Sequence, residues 1–402
     1  MAKQISFDEA MILIDQIEIE NRPTKKLFCT QMLGKTLAKD LIAHQNSPEF
    51  LTSAMDGYAI KFEDQTLEKI KIIESNPAGS VAKNSVFSGV CIKSFTGSLL
   101  PDGADTLIPI ENVEVCDGSI FVKIPVHRGF AVRQIGENFK KGEVLIRRGV
   151  ACDFPEIGVM ASLNQVFVEA FCDVKIAICS TGSEILDIGD IQTNAAQIRS
   201  SNHITLEAIA KKYGCDVIQL GVVQDDRKSI VSALKNGLRE CDILVTTGGV
   251  SVGDYDFVKD IVKDELGANV IFQGVNMKPG QHIIVAQLGN KFIASLPGFA
   301  YSSTVTFLAF VLPLVFKFQQ NGKKLQKIEA ILEHDLPKKV QKAVFTSCNL
   351  RYKNGKYFVN TIGKKDGSSA ILTNMLGGSA LIFQNESVFG SKLGDTVEVV
   401  LF

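Results

Sequence analysis

Hydrophobic and polar positions change rhythm three times along this chain. Ser6-Phe7-Asp8-Glu9 has the form of a capping box, with Ser6 at the N-cap and Glu9 at N3. Phe7, Ile14 and Ile17 supply an apolar face, so the pattern predicts a first helix reaching about Glu20. Residues 25–170 then hold short apolar runs, at 69–73, 90–93, 106–110 and 120–124, separated by Gly, Asn and Asp turns; this predicts a β-rich region. From 175 to 318 strand-like and helical runs alternate. Strand 175–179 precedes helix 204–213, capped by Asn202 and ended by Gly214, and strand 216–220 precedes helix 227–238, capped by Asp226. Strand 242–246 precedes helix 256–266, ended by Gly267; strands 270–272, 283–285 and 292–294 and a long apolar helix follow. Such alternation predicts a parallel, doubly wound sheet, whose ligand loops lie at the carboxyl ends of its strands.

Residues 319–324 are polar and read as a linker, and runs at 327–332, 356–361, 380–383 and 396–401 predict a small all-β domain. The expected divisions are 1–172, with helical parts and an inserted β-rich subdomain at about 45–140, then 173–320, then 326–402. At 402 residues the chain exceeds one ordinary core, so several domains are required. No internal repeat or low-complexity tract interrupts it.

Composition narrows the function classes. The 43 basic and 44 acidic residues are interleaved and leave a net charge of −1, which excludes a basic field for nucleic acid. Nine cysteines without C-x-x-C spacing, with five scattered histidines, argue against structural zinc and for reduced, buried thiols in a cytoplasmic protein. The acid-bearing first helix is not a signal peptide. Residues 299–318 carry one charge, Lys317, and imitate a membrane span, but Ser302, Ser303, Thr304, Thr306 and Pro313 fall within them. A helix buried in a core or a dimer contact is the expected reading, and no membrane is.

Candidate chemistry concentrates in one run, Thr246-Thr247-Gly248-Gly249-Val250-Ser251-Val252-Gly253-Asp254-Tyr255-Asp256. Its glycines allow main-chain N–H groups close to an anion, and its aspartates suit a divalent cation. Ser180-Thr181-Gly182-Ser183-Glu184 and Gln224-Asp225-Asp226 end two further strands. Asp226 and Asp254 also read as plain helix caps. Carboxylates converging on a phosphate would repel it unless Mg2+ or a similar ion lay between them. Met277-Lys278-Pro279-Gly280-Gln281-His282 and Ser295-Leu296-Pro297-Gly298, with Ser302 beyond, together suggest a second oxyanion site. In the β-rich half, Ser53-Ala54-Met55-Asp56-Gly57-Tyr58-Ala59, Thr96-Gly97 and Pro101-Asp102-Gly103-Ala104-Asp105 read by themselves as turns.

Those blocks in that order, with Arg133, Gly136-Glu137, Ser-Thr-Gly at 180–182, Lys-Pro-Gly at 278–280 and Leu-Pro-Gly at 296–298, resemble the molybdopterin molybdenumtransferase family, MoeA and the gephyrin E domain. The resemblance spans the whole chain. It implies a multidomain fold, α/β plus β-rich: a central doubly wound, MogA-like α/β domain, an N-terminal β-rich region with helices, and a small β-barrel-like C-terminal domain. It implies an elongated homodimer that inserts molybdate into the dithiolene of adenylylated molybdopterin, releasing AMP with Mg2+ assisting. Molybdopterin adenylyltransferase is the implied upstream partner. Glu184, Asp225 and Asp256 are the implied acids, with Asp225 and Asp256 on the metal. Asp56 and Thr96 are implied to reach the partner's cleft. Gly248, Gly249, Ser251 and Gly253 would line the pterin-nucleotide site, and Lys278, Pro279, Gly280, Ser302, Arg351 and Ser368 the molybdate site.

The chain departs from the family pattern at five places. Asn138 and Ser183 stand where acids are expected, Gly274 and Gln281 where lysines are expected, and Phe299 replaces an asparagine. The opposing losses fit either a working enzyme with balanced charge or a paralogue that binds pterin or acts as a scaffold. A CinA-like nucleotide-processing protein is the third reading, and the 53–59 block argues against it.

Overall fold

The structure is a computed structural model and describes residues 4–249, 257–365 and 369–402. Helix α1 (Phe7–Asp15) begins as expected, with the Ser6 hydroxyl accepting from the Glu9 N–H at 3.1 Å. It ends at Asp15, short of Glu20, and side chains at the end of a distant helix hold the chain from there on. Lys317 Nζ donates to Asp15 O at 2.6 Å and Gln320 Nε2 to Ile19 O at 2.8 Å.

Strand β1 (Thr24–Phe28) leads into the β-rich region. Its six-stranded sheet comprises β2 (Gly57–Ile60), β3 (Ile70–Asn76), β4 (Val90–Ser94), β5 (Thr106–Pro109), β6 (Val113–Cys116) and β7 (Ser119–Val122), in the order β5-β2-β4-β3-β7-β6. Residues 54–56 are a bend between two sheets rather than a hairpin turn: Thr52–Ser53 pairs with Val132–Arg133, whereas Gly57 opens β2. Gly57 is required there, because a Cβ would lie 2.4 Å from the Ile108 carbonyl oxygen. Helix α2 (Phe154–Ser162) follows, and β8 (Phe167–Phe171) closes the excursion by pairing antiparallel with β1.

The central sheet is built from β9 (Lys175–Thr181), β10 (Asp216–Val223), β11 (Ile243–Thr247), β12 (Asn269–Gln273), β13 (Ile284–Leu288) and β14 (Lys291–Leu296), ordered β10-β9-β11-β14-β13-β12. Side chains alternate along β9. Ile176 and Ile178 face α3 (Asn202–Lys212) and α5 (Ala300–Gln319), whereas Ala177 and Cys179 face α4 (Arg227–Glu240) and the helical segments Val258–Asp260 and Ile261–Glu265. Helices on both faces make the sheet doubly wound. It is not wholly parallel: β13 runs antiparallel to both neighbours. Only Gly289-Asn290 separates β13 from β14, and a two-residue turn permits no parallel crossover.

Helix α5 is apolar all round because it is surrounded. The sheet lies on one side, and α1 with the C-terminal domain on the other, leaving its most apolar window 89% buried. Phe7 stacks near Phe310 and Phe345, with ring centroids 5.6 and 5.4 Å apart, and knits the three parts together. Arg22 fastens the N-terminal region to the sheet, bonding Asp242 Oδ1 at 3.0 Å and the Cys172 carbonyl at 2.8 Å. Seven of the nine cysteines are buried, and burial pushes the Cys91 thiol up to about 12, so these residues pack rather than react.

The C-terminal domain closes as a five-stranded barrel of β15 (Lys327–Leu332), β16 (Ala343–Lys353), β17 (Lys356–Asn360), β18 (Ser379–Gln384) and β19 (Thr396–Val400), around the circuit β16-β17-β15-β19-β18-β16. The longest strand, β16, has no counterpart among the expected runs. Thr346, Ser347, Cys348 and Asn349 interrupt its apolar text, although Ala343, Phe345 and Ser347 still alternate inward.

Candidate functional site

Adjacent parallel strands carry their following loops to one edge of the sheet, which is why the three acidic loops meet. Ser180 Oγ lies 2.9 Å from Thr247 Oγ1 at the ends of β9 and β11. Gly248 has φ +93, and a Cβ there would sit 2.7 Å from the Thr181 carbonyl oxygen; Gly249 has φ +66 and presses on Val258. Only glycine satisfies both conditions at these positions. Glu184 folds back over Gly182, where an added Cβ would fall 2.9 Å from Glu184 Oε1. Ser183 and Asp225 bind reciprocally: the Ser183 N–H donates to Asp225 Oδ2 at 3.3 Å and the Asp225 N–H to Ser183 Oγ at 3.4 Å. The hydroxyl that replaces an expected acid thus fixes the main chain of the next loop, while the Ser183 N–H holds the Asp225 carboxylate.

Asp226 serves as the N-cap of α4, accepting from the Ser229 N–H at 2.9 Å. The Ser229 hydroxyl and N–H hold its carboxyl below the usual range. Glu184, Asp225, Gly248 and Gly249 are therefore brought together, whereas Ser251, Gly253, Asp254 and Asp256 lie outside the described residues. Among the described residues no group of three or more His, Cys, Asp or Glu is placed to hold a metal ion. Asp225 and the Ser183 hydroxyl offer hard oxygen donors, the type Mg2+ takes.

The two turns expected to form one oxyanion site belong to different places. The Leu296 carbonyl accepts from the Gly248 N–H at 3.1 Å, and a Cβ on Gly298 would be 3.6 Å from Gly248 Cα, so residues 296–298 buttress the glycine turn. Lys278-Pro279-Gly280 instead turns toward the barrel, with Gly280 pressed on Thr306 of α5. There Lys278, Pro279 and Tyr301 line a cavity of about 510 Å³ together with Lys338, Lys339, Ser347, Lys364 and Lys365 of the barrel domain. Tyr301 Oη donates to Phe345 O at 3.1 Å and accepts from the Ser347 N–H at 3.0 Å, fixing β16 against α5. The Ser347 hydroxyl is buried and has no hydrogen-bond partner among the described residues.

The four barrel lysines were missed from sequence; their signal was the paired Lys338-Lys339 and Lys364-Lys365 between short strands. Lys342 was missed too: its Nζ donates to Gln281 Oε1 at 2.5 Å, bringing a cation to a position where a family lysine is absent. Ser302 is buried, and its N–H donates to the Ser369 carbonyl at 3.1 Å across the domain boundary. Arg351 pairs with Glu333 and is not among the cavity-lining residues. Ser368 lies outside the described residues.

Asp56 and Thr96 meet on the β-rich domain, where the Thr96 N–H and hydroxyl both donate to Asp56 Oδ1 at 2.8 Å. Those bonds, the main-chain one first, hold the Asp56 carboxyl below its usual range. No hydrogen bond among the described residues joins 47–138 to 173–402 of the same chain.

Comparison with known proteins bears on both halves of this arrangement. Residues 5–164 match the family profile "MoeA N-terminal region (domain I and II)", and residues 177–317 match "Probable molybdopterin binding domain". The chain is 31% identical over 366 residues to molybdopterin molybdenumtransferase of Haemophilus influenzae, covering 88% of each. It is 28% identical over 408 residues to the protein of that name in Bacillus subtilis, covering 99% of this chain and 94% of that one. The solved structure of a molybdopterin biosynthesis moeA protein from Pyrococcus horikoshii superposes with a TM-score of 0.83 at 29% identity, over 100% of both chains.

Proposed function

This chain belongs to the molybdopterin molybdenumtransferase family, and on that premise we propose that it inserts molybdate into adenylylated molybdopterin and releases AMP. The observation that carries the reading is the segregation of charge about the start of α5. Carboxylates gather by the Gly248–Gly249 turn, which Gly298 buttresses, and lysines outnumber acids in the cavity that Tyr301 lines, three residues further on, where Asp335 is paired with Lys392. One site suits a phosphate with a divalent cation. The other suits a tetrahedral dianion, which needs cations, hydroxyls and N–H groups rather than acids.

In this reading the glycine turn seats the phosphoanhydride, with main chain rather than side chain facing the ligand. Asp225 and Asp256 would hold Mg2+, which when bound offsets charge on the leaving phosphate. The Ser183 main-chain N–H keeps the Asp225 carboxylate aimed at the site. Lys278, with Lys339 and Lys365 of the barrel domain, holds the oxyanion. Molybdopterin adenylyltransferase is the upstream partner, and a cytoplasmic location belongs to the same reading.

Asp56 and Thr96 have no hydrogen-bonded route to their own cleft among the described residues, which supports a homodimer in which each β-rich domain completes the partner's site. Subunits carrying Asp56→Ala and Asp225→Ala are each expected to be inactive alone. An equal mixture of the two, allowed to exchange subunits, is expected to regain about a quarter of wild-type AMP release, because about half the dimers are mixed and each of those holds one intact site of two. Absence of recovery in dimers verified as mixed would place Asp56 at its own chain's site or outside catalysis.

A further inference from the structure

The loop from β17 to β18 carries Lys364 and Lys365, and a buried amide that the chemistry above leaves unused holds it from inside. Asn374 lies in the short turn Leu372–Met375, is 8% exposed and lines the same cavity. The Lys365 N–H donates to Asn374 Oδ1 at 2.8 Å, and Asn374 Nδ2 donates to the Lys365 carbonyl at 2.8 Å. One side chain thus takes both main-chain groups of a residue earlier in the loop, as a neighbouring strand would. The orientation of the amide follows, because an N–H can only donate and a carbonyl can only accept.

The two lysines of the loop differ in what their charges meet. Lys364 Nζ donates to Ser379 Oγ at 2.6 Å and to Leu376 O at 3.1 Å, so its ammonium is committed to the barrel wall. Lys338 is spent in the same way on the Asn385 carbonyl. Lys365 is exposed, and its ammonium has no hydrogen-bond or ion-pair partner among the described residues; only its main chain is fixed. Two bonds hold the loop on either side of it. The Thr361 N–H donates to His334 Nε2 at 2.9 Å, and the Ser302 N–H, in the first turn of α5, donates to the Ser369 carbonyl at 3.1 Å. Lys365 stands between these anchors, and Asn374 is the tether at its own peptide groups.

We propose that Asn374 is a positioning residue for the oxyanion site: it fixes the main chain of Lys365 and so presents that free ammonium to the cavity. A cation whose stem starts from a fixed point gives up less freedom on binding than one carried by a loose loop. The ligand concerned is a tetrahedral metal oxyanion, which rests on the function proposed above. Without the amide, the Lys365 N–H and carbonyl lose their partners, and the stem loses its fixed origin.

Molybdate alone is the probe, and its affinity for the full-length protein is measured by equilibrium dialysis. Lys365→Met, which keeps the stem and removes the charge, and Asn374→Ala are each expected to weaken binding about tenfold. The double variant is expected to bind no more weakly than either single one, because Asn374 acts through Lys365. A purely structural Asn374 would lower Tm and leave the affinity of the folded variant at the wild-type value. Should Asn374→Ala fail to fold, Asn374→Leu, which fills a similar volume without the two bonds, takes its place in the cycle. Hydrogen exchange reads the tether in the wild type itself. In protein labelled with nitrogen-15 at lysine, the Lys365 amide is assigned by its loss in Lys365→Met and is expected to exchange slowly. Three results overturn the proposal: an Asn374 variant that binds like wild type, a double variant about a hundredfold weaker, or a Lys365 amide that exchanges like a free peptide. A wild type that binds no molybdate is a separate failure, which removes the oxyanion site proposed above and this assignment with it.

Discussion

Gly248→Ala is expected to lower kcat/KM about a hundredfold while leaving Tm within a few degrees of wild type. A Cβ at this position meets a main-chain oxygen, Thr181 O, at 2.7 Å, and no rotamer change relieves that contact. The backbone at φ +93 adds roughly 1–2 kcal/mol of strain for any residue with a Cβ. Relief comes from moving the turn, and the Leu296 carbonyl bond and the Gly298 contact go with it. Displacing a substrate-positioning element by about 1 Å is enough for a hundredfold loss. The hydrophobic core is untouched, since Gly248 sits beyond the end of β11. Steady-state kinetics alongside a thermal melt separate the two effects. Wild-type kcat/KM in the variant would mean that no substrate approaches this turn.

Lys278→Glu is expected to act on the other substrate. Reversing one charge in a cavity where Lys338 and Lys364 are already engaged by protein acceptors changes the interaction with a dianion by about 3 kcal/mol. The KM for molybdate should therefore rise about a hundredfold, with the affinity for the pterin substrate unchanged. Raised ionic strength should weaken molybdate binding to the wild type more than to the variant. The measurement is initial rate against molybdate at saturating pterin substrate. An unaltered molybdate KM would show that the oxyanion binds away from the cavity.

Much of this was legible in the residues because local chemistry and global fold agree. Asp226 looked like a cap and is one. The 175–296 text alternates with the periods that a doubly wound sheet demands, and its acidic loops follow neighbouring strands. The β13 reversal was also written in the chain, in the two-residue Gly289-Asn290 connection, but a run of strands and helices hides one short turn.

Other features exist only in three dimensions. Nothing local tells Lys338, Lys339, Lys364 and Lys365 from ordinary surface lysines; barrel closure brings them opposite Lys278. Ser347 hides in a strand whose polar middle reads as loop. The chain at and beyond the end of α1 is held by Lys317 and Gln320, about three hundred residues away in sequence. The pairing of Lys278 with residues 295–298 failed for a related reason. Both turns border α5, but one faces the sheet edge and the other the barrel.

The departures from the family pattern take on a physical form in the same way. The Ser183 hydroxyl accepts from the Asp225 N–H where the family pattern has a second charge, and Gln281 meets Lys342 from the barrel domain. Each site has exchanged a charge for a hydrogen bond or for a cation from elsewhere, which favours the working enzyme over the pterin-binding paralogue. The direct test mixes the purified protein with adenylylated molybdopterin, Mg2+ and molybdate, and follows AMP and active molybdenum cofactor together. The expected result is AMP formed in step with cofactor, dependent on both Mg2+ and molybdate. Tight pterin binding with no AMP would contradict it.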